Sequence, residues 1–178
     1  QAEGQQFGPE WFVTGFQTVD WNEMGRLFQQ QQWAHAFGLT PKEIQRSEAD
    51  TDHYKAHKEI DPTTTPNTGN ASRIFSSLEQ VANGIQAAGP KLNPTTFREG
   101  LFKLGKRAPD PAWSVGGGYA PGDLSYSDYV AEVWWDPAAS DADGTAGAYR
   151  YTGNGRRYRA GDFDTSPSTV FQEGISVP

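Results

Sequence analysis

The sequence predicts an α/β protein, because helical and strand patterns share one chain. Residues 71–104 contain two amphipathic helical patterns joined by a short turn. Residues 11–14 are a short apolar run bounded by Pro9 and Gly15, which is typical of a buried strand in a parallel sheet. The last third of the chain favours strands, with an antiparallel hairpin near the C-terminus.

The first strand is followed by a loop at residues 15–20, which would lie at the carboxyl end of that strand. Thr18 or Asp20 is suited to cap a short helix after this loop. Residues 33–37 predict a second short strand. Thr40 and Glu43 then have the spacing of a capping box, which predicts another brief helix.

The helical pair at residues 71–104 has clear boundaries. Gly89 and Pro90 end the first helix, Asn93 is suited to cap the second, and Pro94 fits its first position. The apolar positions of the first helix recur at steps of four and three: Ile74, Leu78, Val81, Ile85 and Ala88. They form one stripe, which needs a sheet or another helix to cover it.

The region after the helices predicts a long loop and then strands. Residues 129–135 alternate enough for a strand, and residues 148–151 and 157–159 flank a Gly-Asn-Gly turn as the arms of a hairpin. The basic cluster formed by Arg156, Arg157 and Arg159 is interpreted as alternate exposed charges on the second arm.

Composition excludes several classes of function. A net charge of -7 argues against nucleic acid binding, which selects clustered Lys and Arg. The absence of cysteine excludes disulfides, thiolate metal sites and thiol catalysis. The sequence contains no run of about 20 apolar residues, so no membrane-spanning helix is predicted.

No catalytic constellation is evident, so we expect no enzyme, no cofactor and no metal site. His53 and His57 lie four residues apart, so on a helix they could share one face and bind zinc. A third ligand is not evident, which favours a solvated helix face. Asp136, Asp141 and Asp143 lack the terminal Glu of a calcium loop, which favours a surface turn between strands. The acidic residues near aromatic ones have no spacing that selects a glycosidase pair.

Three blocks in order resemble the type I periplasmic binding proteins, the solute receptors of branched-chain amino acid ABC transporters. The blocks are GPEWFVTGF with DWNEMGRLFQQQQWAHAFGLTP, then ANGIQAAGP with LNPTTFREGL, then DYVAEVWWDPAASDADGTAGAYRYTGNGRRYRAGDF. The resemblance implies the C-terminal part of a two-lobe fold about twice as long. A family helix would match the segment around Tyr54.

The resemblance also implies a division of the chain. Its parts are a strand-loop-helix segment of the second lobe (1–47), a hinge or linker (48–70), the paired helices of the other lobe (71–105), a long loop (106–125), and terminal strands, hairpin and tail (126–178).

The function implied is reversible binding of a small solute, such as an amino acid, in an interlobe cleft. Asp20 would meet the ligand's ammonium group, and the other lining residues would be Phe16, Gln17, Thr18, Arg73, Phe75 and Ser76. The implied partners are the solute, the missing N-terminal part of the receptor and an ABC permease. The implied location is extracytoplasmic, periplasmic or on a cell-surface lipoprotein.

Two other classes of function stay open. One is an extracytoplasmic carbohydrate-binding or carbohydrate-active domain, suggested by aromatic residues that lie close to acidic ones. The other is an interaction domain whose exposed apolar edge pairs with another polypeptide, including a homodimer.

Overall fold

The computed structural model describes residues 9–66, 68–109, 116–159 and 162. They fall into two compact units. The first draws on the ranges Gln1–Gln45, Pro109–Gly116 and Ser127–Pro178, and the second on Arg46–Ala108 and Gly117–Tyr126. The tail expected near the C-terminus lies outside the described residues. Among the residues described, no helix has both the length and the apolar character needed to cross a bilayer.

The first unit is a mixed sheet with short helices, which confirms the α/β class. Its elements are β1 (Trp11–Val13), α1 (Asn22–Leu27), α2 (Gln30–Trp33), β2 (Ala36–Thr40), β3 (Tyr129–Ser140), β4 (Ala146–Tyr151) and β5 (Tyr158–Arg159), with single 3-10 turns at Phe16–Thr18 and Thr152–Asn154. The strand order is β1-β2-β3-β4, and β5 also pairs with β3. The β1–β2 pair is parallel, whereas the other pairs are antiparallel.

The core of the first unit is built around Trp135, whose side chain has no solvent exposure. Gly25 of α1 and Gly147 of β4 lie against its ring, so that a Cβ at Gly25 would approach Trp135 Cζ3 to 2.4 Å. The indole Nε1 donates to Gln30 Oε1 at 2.9 Å. Burial of this large aromatic ring and satisfaction of its one donor fix α1 and α2 on the sheet.

The second unit contains the helical pair that the sequence predicts. Its helices are α3 (Asp52–Ile60), α4 (Thr68–Ala88) and α5 (Pro94–Leu104). The Asn93 side chain accepts from the amides of Thr95 and Thr96, so the predicted N-cap is confirmed. Gly84 allows close packing of α4 on α5, because a Cβ there would lie 2.5 Å from the Phe97 ring.

Most of the apolar stripe of α4 is exposed among the residues that the structure describes. Ile74 is 58% exposed and Leu78 is 62% exposed. The helix instead packs on α5 through the face that carries Gly84. Within the described part of the chain, the expectation that another element covers the stripe is therefore not met.

The predicted hairpin around the Gly-Asn-Gly turn is wrong. β4 and β5 do not pair with each other, since both run antiparallel to β3 and hence parallel in direction to one another. β4 ends at Tyr151, and after a turn the chain pairs with β3 again in β5. In this turn, Gly153, Asn154 and Gly155 have positive φ. The antiparallel hairpin near the C-terminus is formed by β3 and β4, joined at residues 141–145.

Two local predictions near the N-terminus also need correction. β1 is parallel, as predicted, but it is an edge strand in which Val13 is buried and Phe12 is 61% exposed. The spacing of Thr40 and Glu43 does not start a helix, because Thr40 is the last residue of β2. Its hydroxyl is engaged by Asp20 and by the amide of Lys42 instead.

Candidate ligand site at the carboxyl edge of the parallel strands

The loop after β1 and the end of β2 meet at one edge of the sheet, because these two strands are parallel. Gly15 begins the loop with φ of 73°, and a Cβ there would lie 2.8 Å from Pro41 Cδ. Only glycine fits this combination of positive φ and close contact. In open α/β sheets, such carboxyl edges are the usual place for ligands.

The next residues of the loop are held in an unfavourable backbone conformation. Gln17 and Thr18 have φ of 53° and 65°. Positive φ is uncommon outside glycine and costs free energy, especially for a β-branched residue such as Thr. The Thr18 hydroxyl donates to the carbonyl of Gln17 at 2.5 Å, within the same turn.

Asp20 ends the loop as a buried carboxylate that is only half satisfied. Its exposure is 6%, and its Oδ2 accepts from the Thr40 hydroxyl at 2.5 Å. Its Oδ1 is buried and has no hydrogen-bond partner among the described residues. A buried acceptor left in this way costs about 1–3 kcal/mol, and more when it is charged.

Tyr149 of β4 contacts the residue that precedes Asp20. Its hydroxyl donates to the Val19 carbonyl at 2.6 Å and lies 3.2 Å from the donor Trp33 Nε1. Burial raises the pKa of the Tyr149 phenol, the Trp33 hydrogen bond opposes the rise, and the Asp20 charge adds to it. The phenol therefore stays neutral beside Asp20.

Tyr151, two residues later, has a pKa that charges of both signs affect. Its hydroxyl donates to the Glu43 carbonyl at 2.9 Å. Burial raises its pKa, Arg157 lowers it, and Asp20 and Glu43 raise it further. The Arg157 guanidinium carbon lies 5.8 Å from the centre of the Tyr151 ring, so Arg157 is a direct neighbour of this phenol.

Arg157 carries the most unusual group of the site. The nitrogens Nε, Nη1 and Nη2 are all buried and have no hydrogen-bond partner among the described residues. The guanidinium carbon lies 5.8 Å from the centre of the Tyr151 ring, which gives a cation–π contact but no acceptor. Burial lowers the pKa of Arg157, while Tyr151 and Glu43 oppose that change.

The residues predicted to line a cleft are divided between the two units. Gln17, Thr18 and Asp20 belong to the loop of the first unit, as does the backbone of Phe16, whose side chain is not described. Arg73, Phe75 and Ser76 lie on α4 in the second unit, where Arg73 and Ser76 are exposed and Phe75 is half-buried. Of these residues, Asp20 has the strongest structural features of a site.

Sequence reasoning missed Thr40, Tyr149, Tyr151 and Arg157 as neighbours of this edge. The interpretation of Arg157 as an exposed hairpin charge is wrong, whereas Arg156 and Arg159 are exposed as expected. The available signal was the alternation in YRYTGNGRRYR, which gives one Arg a direction different from that of its neighbour.

The sites considered for metals are occupied by protein contacts. His53 is buried on α3 with its Nε2 2.6 Å from Glu48 Oε1, so the predicted solvated face is wrong for this residue. Asp141 lies in the turn between β3 and β4 and accepts from Arg26 and from two backbone amides. Within the described ranges, no group of three or more His, Cys, Asp or Glu side chains is arranged to hold a metal ion.

Comparison with protein-family models, with curated proteins and with solved structures found no match. Conclusions about the site therefore depend on its own geometry.

Proposed function

We propose that this chain takes part in the reversible capture of a small solute, as part of a type I solute-binding protein of an ABC uptake system. The three blocks of sequence that resemble such receptors support this proposal. The mixed sheet and the division of the chain into two compact units are compatible with it. An extracytoplasmic location and a permease partner belong to the same proposal.

The observation that carries the proposal is the unsatisfied Oδ1 of Asp20. One oxygen of this buried carboxylate is bound to Thr40, and the other has no partner among the described residues, which is costly unless a cation or donor completes it. A ligand's ammonium group would supply both positive charge and hydrogen-bond donors. Its position beside a strained loop at the carboxyl edge of parallel strands supports a binding role.

The proposed mechanism involves no covalent step. The ammonium group binds Asp20 while the loop at Gln17 and Thr18 lines the solute. In the intact receptor, contacts from a second lobe would then favour a closed form that the permease recognises. Asp20 fixes the orientation of the solute, and the neutral phenol of Tyr149 keeps the position next to it free of a second negative charge.

The test is a thermal-shift screen of the purified protein against amino acids, amides and aromatic acids, followed by native mass spectrometry of any hit. Asp20→Asn preserves the shape of the side chain and its acceptor for Thr40 but removes the charge. We expect it to abolish the response, and Glu23→Gln, an exposed position on α1, to retain it. A response that is the same in Asp20→Asn and in the wild type would contradict the proposed role of Asp20.

A second candidate function is glycan binding on the face of the sheet opposite to the buried Trp135. The register places Phe12 beside Phe37, Phe37 beside Trp134, and Trp134 beside Arg150 across four strands. The rings of Phe12 and Phe37 meet edge to face, with their centres 5.6 Å apart. Retention on an insoluble glycan that Phe12→Ser removes would favour this candidate, and retention that survives the change would oppose it.

A further inference from the structure

We infer that the guanidinium of Arg157 is a recognition site for the carboxylate of a small solute. This inference rests on the proposed capture function and names the class of ligand for it. The observation behind it is separate from Asp20: a guanidinium whose three nitrogens are buried and lack hydrogen-bond partners among the described residues.

The chemistry of the group selects the ligand. A guanidinium has only donors, arranged in a planar fork that matches the two oxygens of a carboxylate. Its aromatic neighbour, Tyr151, offers a ring face and donates its hydroxyl to the Glu43 carbonyl, and no described residue accepts a hydrogen bond from the Arg157 nitrogens. The fork therefore keeps its full capacity for an anion.

The described neighbours of Arg157 leave its donors open to one anionic group. The Tyr151 ring lies 5.8 Å from the guanidinium carbon, and no described residue accepts a hydrogen bond from the three nitrogens. Asp20 belongs to the same unit of the chain, and its Oδ1 also has no partner among the described residues. This unit therefore contains one anion and one cation that could hold the ammonium and the carboxylate of an amino acid.

The site is closed in this structure, because the guanidinium nitrogens are buried. Binding therefore requires a movement of the side chain or of the turn that precedes it. That turn has three successive residues at positive φ, Gly153, Asn154 and Gly155, two of which are glycines with the widest backbone freedom. A shift of this turn would open the guanidinium without breaking the pairing of β4 with β3.

The primary experiment is a titration of the ¹⁵N-labelled protein, following the Nε–Hε signal of Arg157. Sodium acetate, sodium phosphate and sodium chloride are compared at equal ionic strength. We expect a saturable shift with acetate and weaker, non-saturating changes with the other two salts. Equal responses to all three would indicate screening alone and overturn the inference, and a response to phosphate without one to acetate would overturn the choice of carboxylate.

Variants separate recognition from structural support. Arg157→Gln removes the charge, Arg157→Lys keeps it without the fork, and Arg156→Gln is the matched control at the exposed neighbouring position. For any solute found in the thermal-shift screen, we expect Arg157→Gln to weaken binding at least about tenfold, since the lost hydrogen bonds involve charged groups. Arg157→Lys should fold and bind more weakly than the wild type, and Arg156→Gln should bind normally.

The two proposals fail in different ways. Solute binding that is unchanged in Arg157→Gln, with no acetate response at Arg157, would overturn the carboxylate site and leave the capture function. A saturable acetate response with no solute in the screen would support the anion site and count against the capture function. The acetate titration uses the unmodified protein, so it decides the inference even if a variant fails to fold.

Discussion

The hydroxyl of Thr40 donates to Oδ2 of Asp20 at 2.5 Å, and this bond ties the loop after β1 to the last residue of β2. Thr40 is 1% exposed and Asp20 is 6% exposed, so the bond is shielded from water. The same hydroxyl accepts from the amide of Lys42 at 3.1 Å, which turns the chain away from the strand. One side chain thereby ends β2 and orients the carboxylate of the candidate site.

Loss of the Thr40 hydroxyl should therefore destabilise the first unit. Thr40→Val keeps the shape but leaves Oδ2 of Asp20 without a donor, and we expect a loss of about 1–3 kcal/mol. Chemical denaturation of Thr40→Val, Asp20→Asn and the double variant measures the coupling. Independent, additive effects of the two changes would contradict the proposed role of this bond.

The close packing of Gly25 on Trp135 predicts a local steric cost. Gly25→Ala introduces a Cβ 2.4 Å from Trp135 Cζ3, and overpacking of this kind costs about 1–3 kcal/mol. Trp135→Phe removes the atoms that clash, so the double variant should lose less stability than the sum of the two single changes. Glu23 is exposed on the same helix, so Glu23→Ala should change stability little. Thermal unfolding of the four variants and the wild type checks these expectations.

The ion pair between Arg26 and Asp141 predicts a dependence of stability on acid. Burial raises the pKa of Asp141, but the hydrogen bond from Arg26, backbone donors and the Arg26 charge lower it below 3.8 overall. A lowered folded pKa means that the stabilisation is present above 3.8 and is lost as the pH falls through the folded value.

Asp141→Asn should flatten the acid side of the stability curve and cost about 1–3 kcal/mol at neutral pH, because Arg26 loses a charged partner. Arg150→Lys is the control, since Arg150 is exposed and its nearest approach to Asp136 is 4.0 Å. Denaturation curves across the acid range provide the measurement. An acid profile of Asp141→Asn identical to that of the wild type would refute the assignment.

Buried phenols predict a second dependence on pH, at the alkaline end. Burial raises the pKa of Tyr151 above 10.0, with Arg157 opposing and Asp20 and Glu43 adding to the rise. A raised folded pKa means that the stabilisation is complete below 10.0 and is lost as the pH rises toward the folded value.

Absorbance titration of the native protein should therefore show Tyr151 ionising later than it does in denaturant. Tyr151→Phe should remove one late-ionising phenol and make the alkaline loss of stability less steep. If the native titration of Tyr151→Phe still contains the same number of late phenols, Tyr151 is not one of them.

Several features could be predicted because their causes are local. The helices α4 and α5, the N-cap at Asn93 and the break at Gly89 follow from side chains that act within one or two helical turns. The loop at the carboxyl end of β1 could be predicted because a short apolar run is followed by a polar segment. Asp20 is a candidate ligand-binding residue because it lies in this loop. The two-lobe arrangement and the solute are predictions that follow from the resemblance of the three sequence blocks.

The sequence by itself determined the α/β class, the helical pair and the position of the Asp20 loop, because hydrogen bonds and capping contacts in these segments join residues near each other in the chain. Only the tertiary structure decided that β5 joins β3 rather than β4, that Thr40 binds Asp20 instead of starting a helix, and that the Arg157 guanidinium is buried. The physical reason is that strand partners and burial depend on segments far apart in sequence, such as residues 19 and 149 or 129 and 159, and no local pattern encodes the contacts between them.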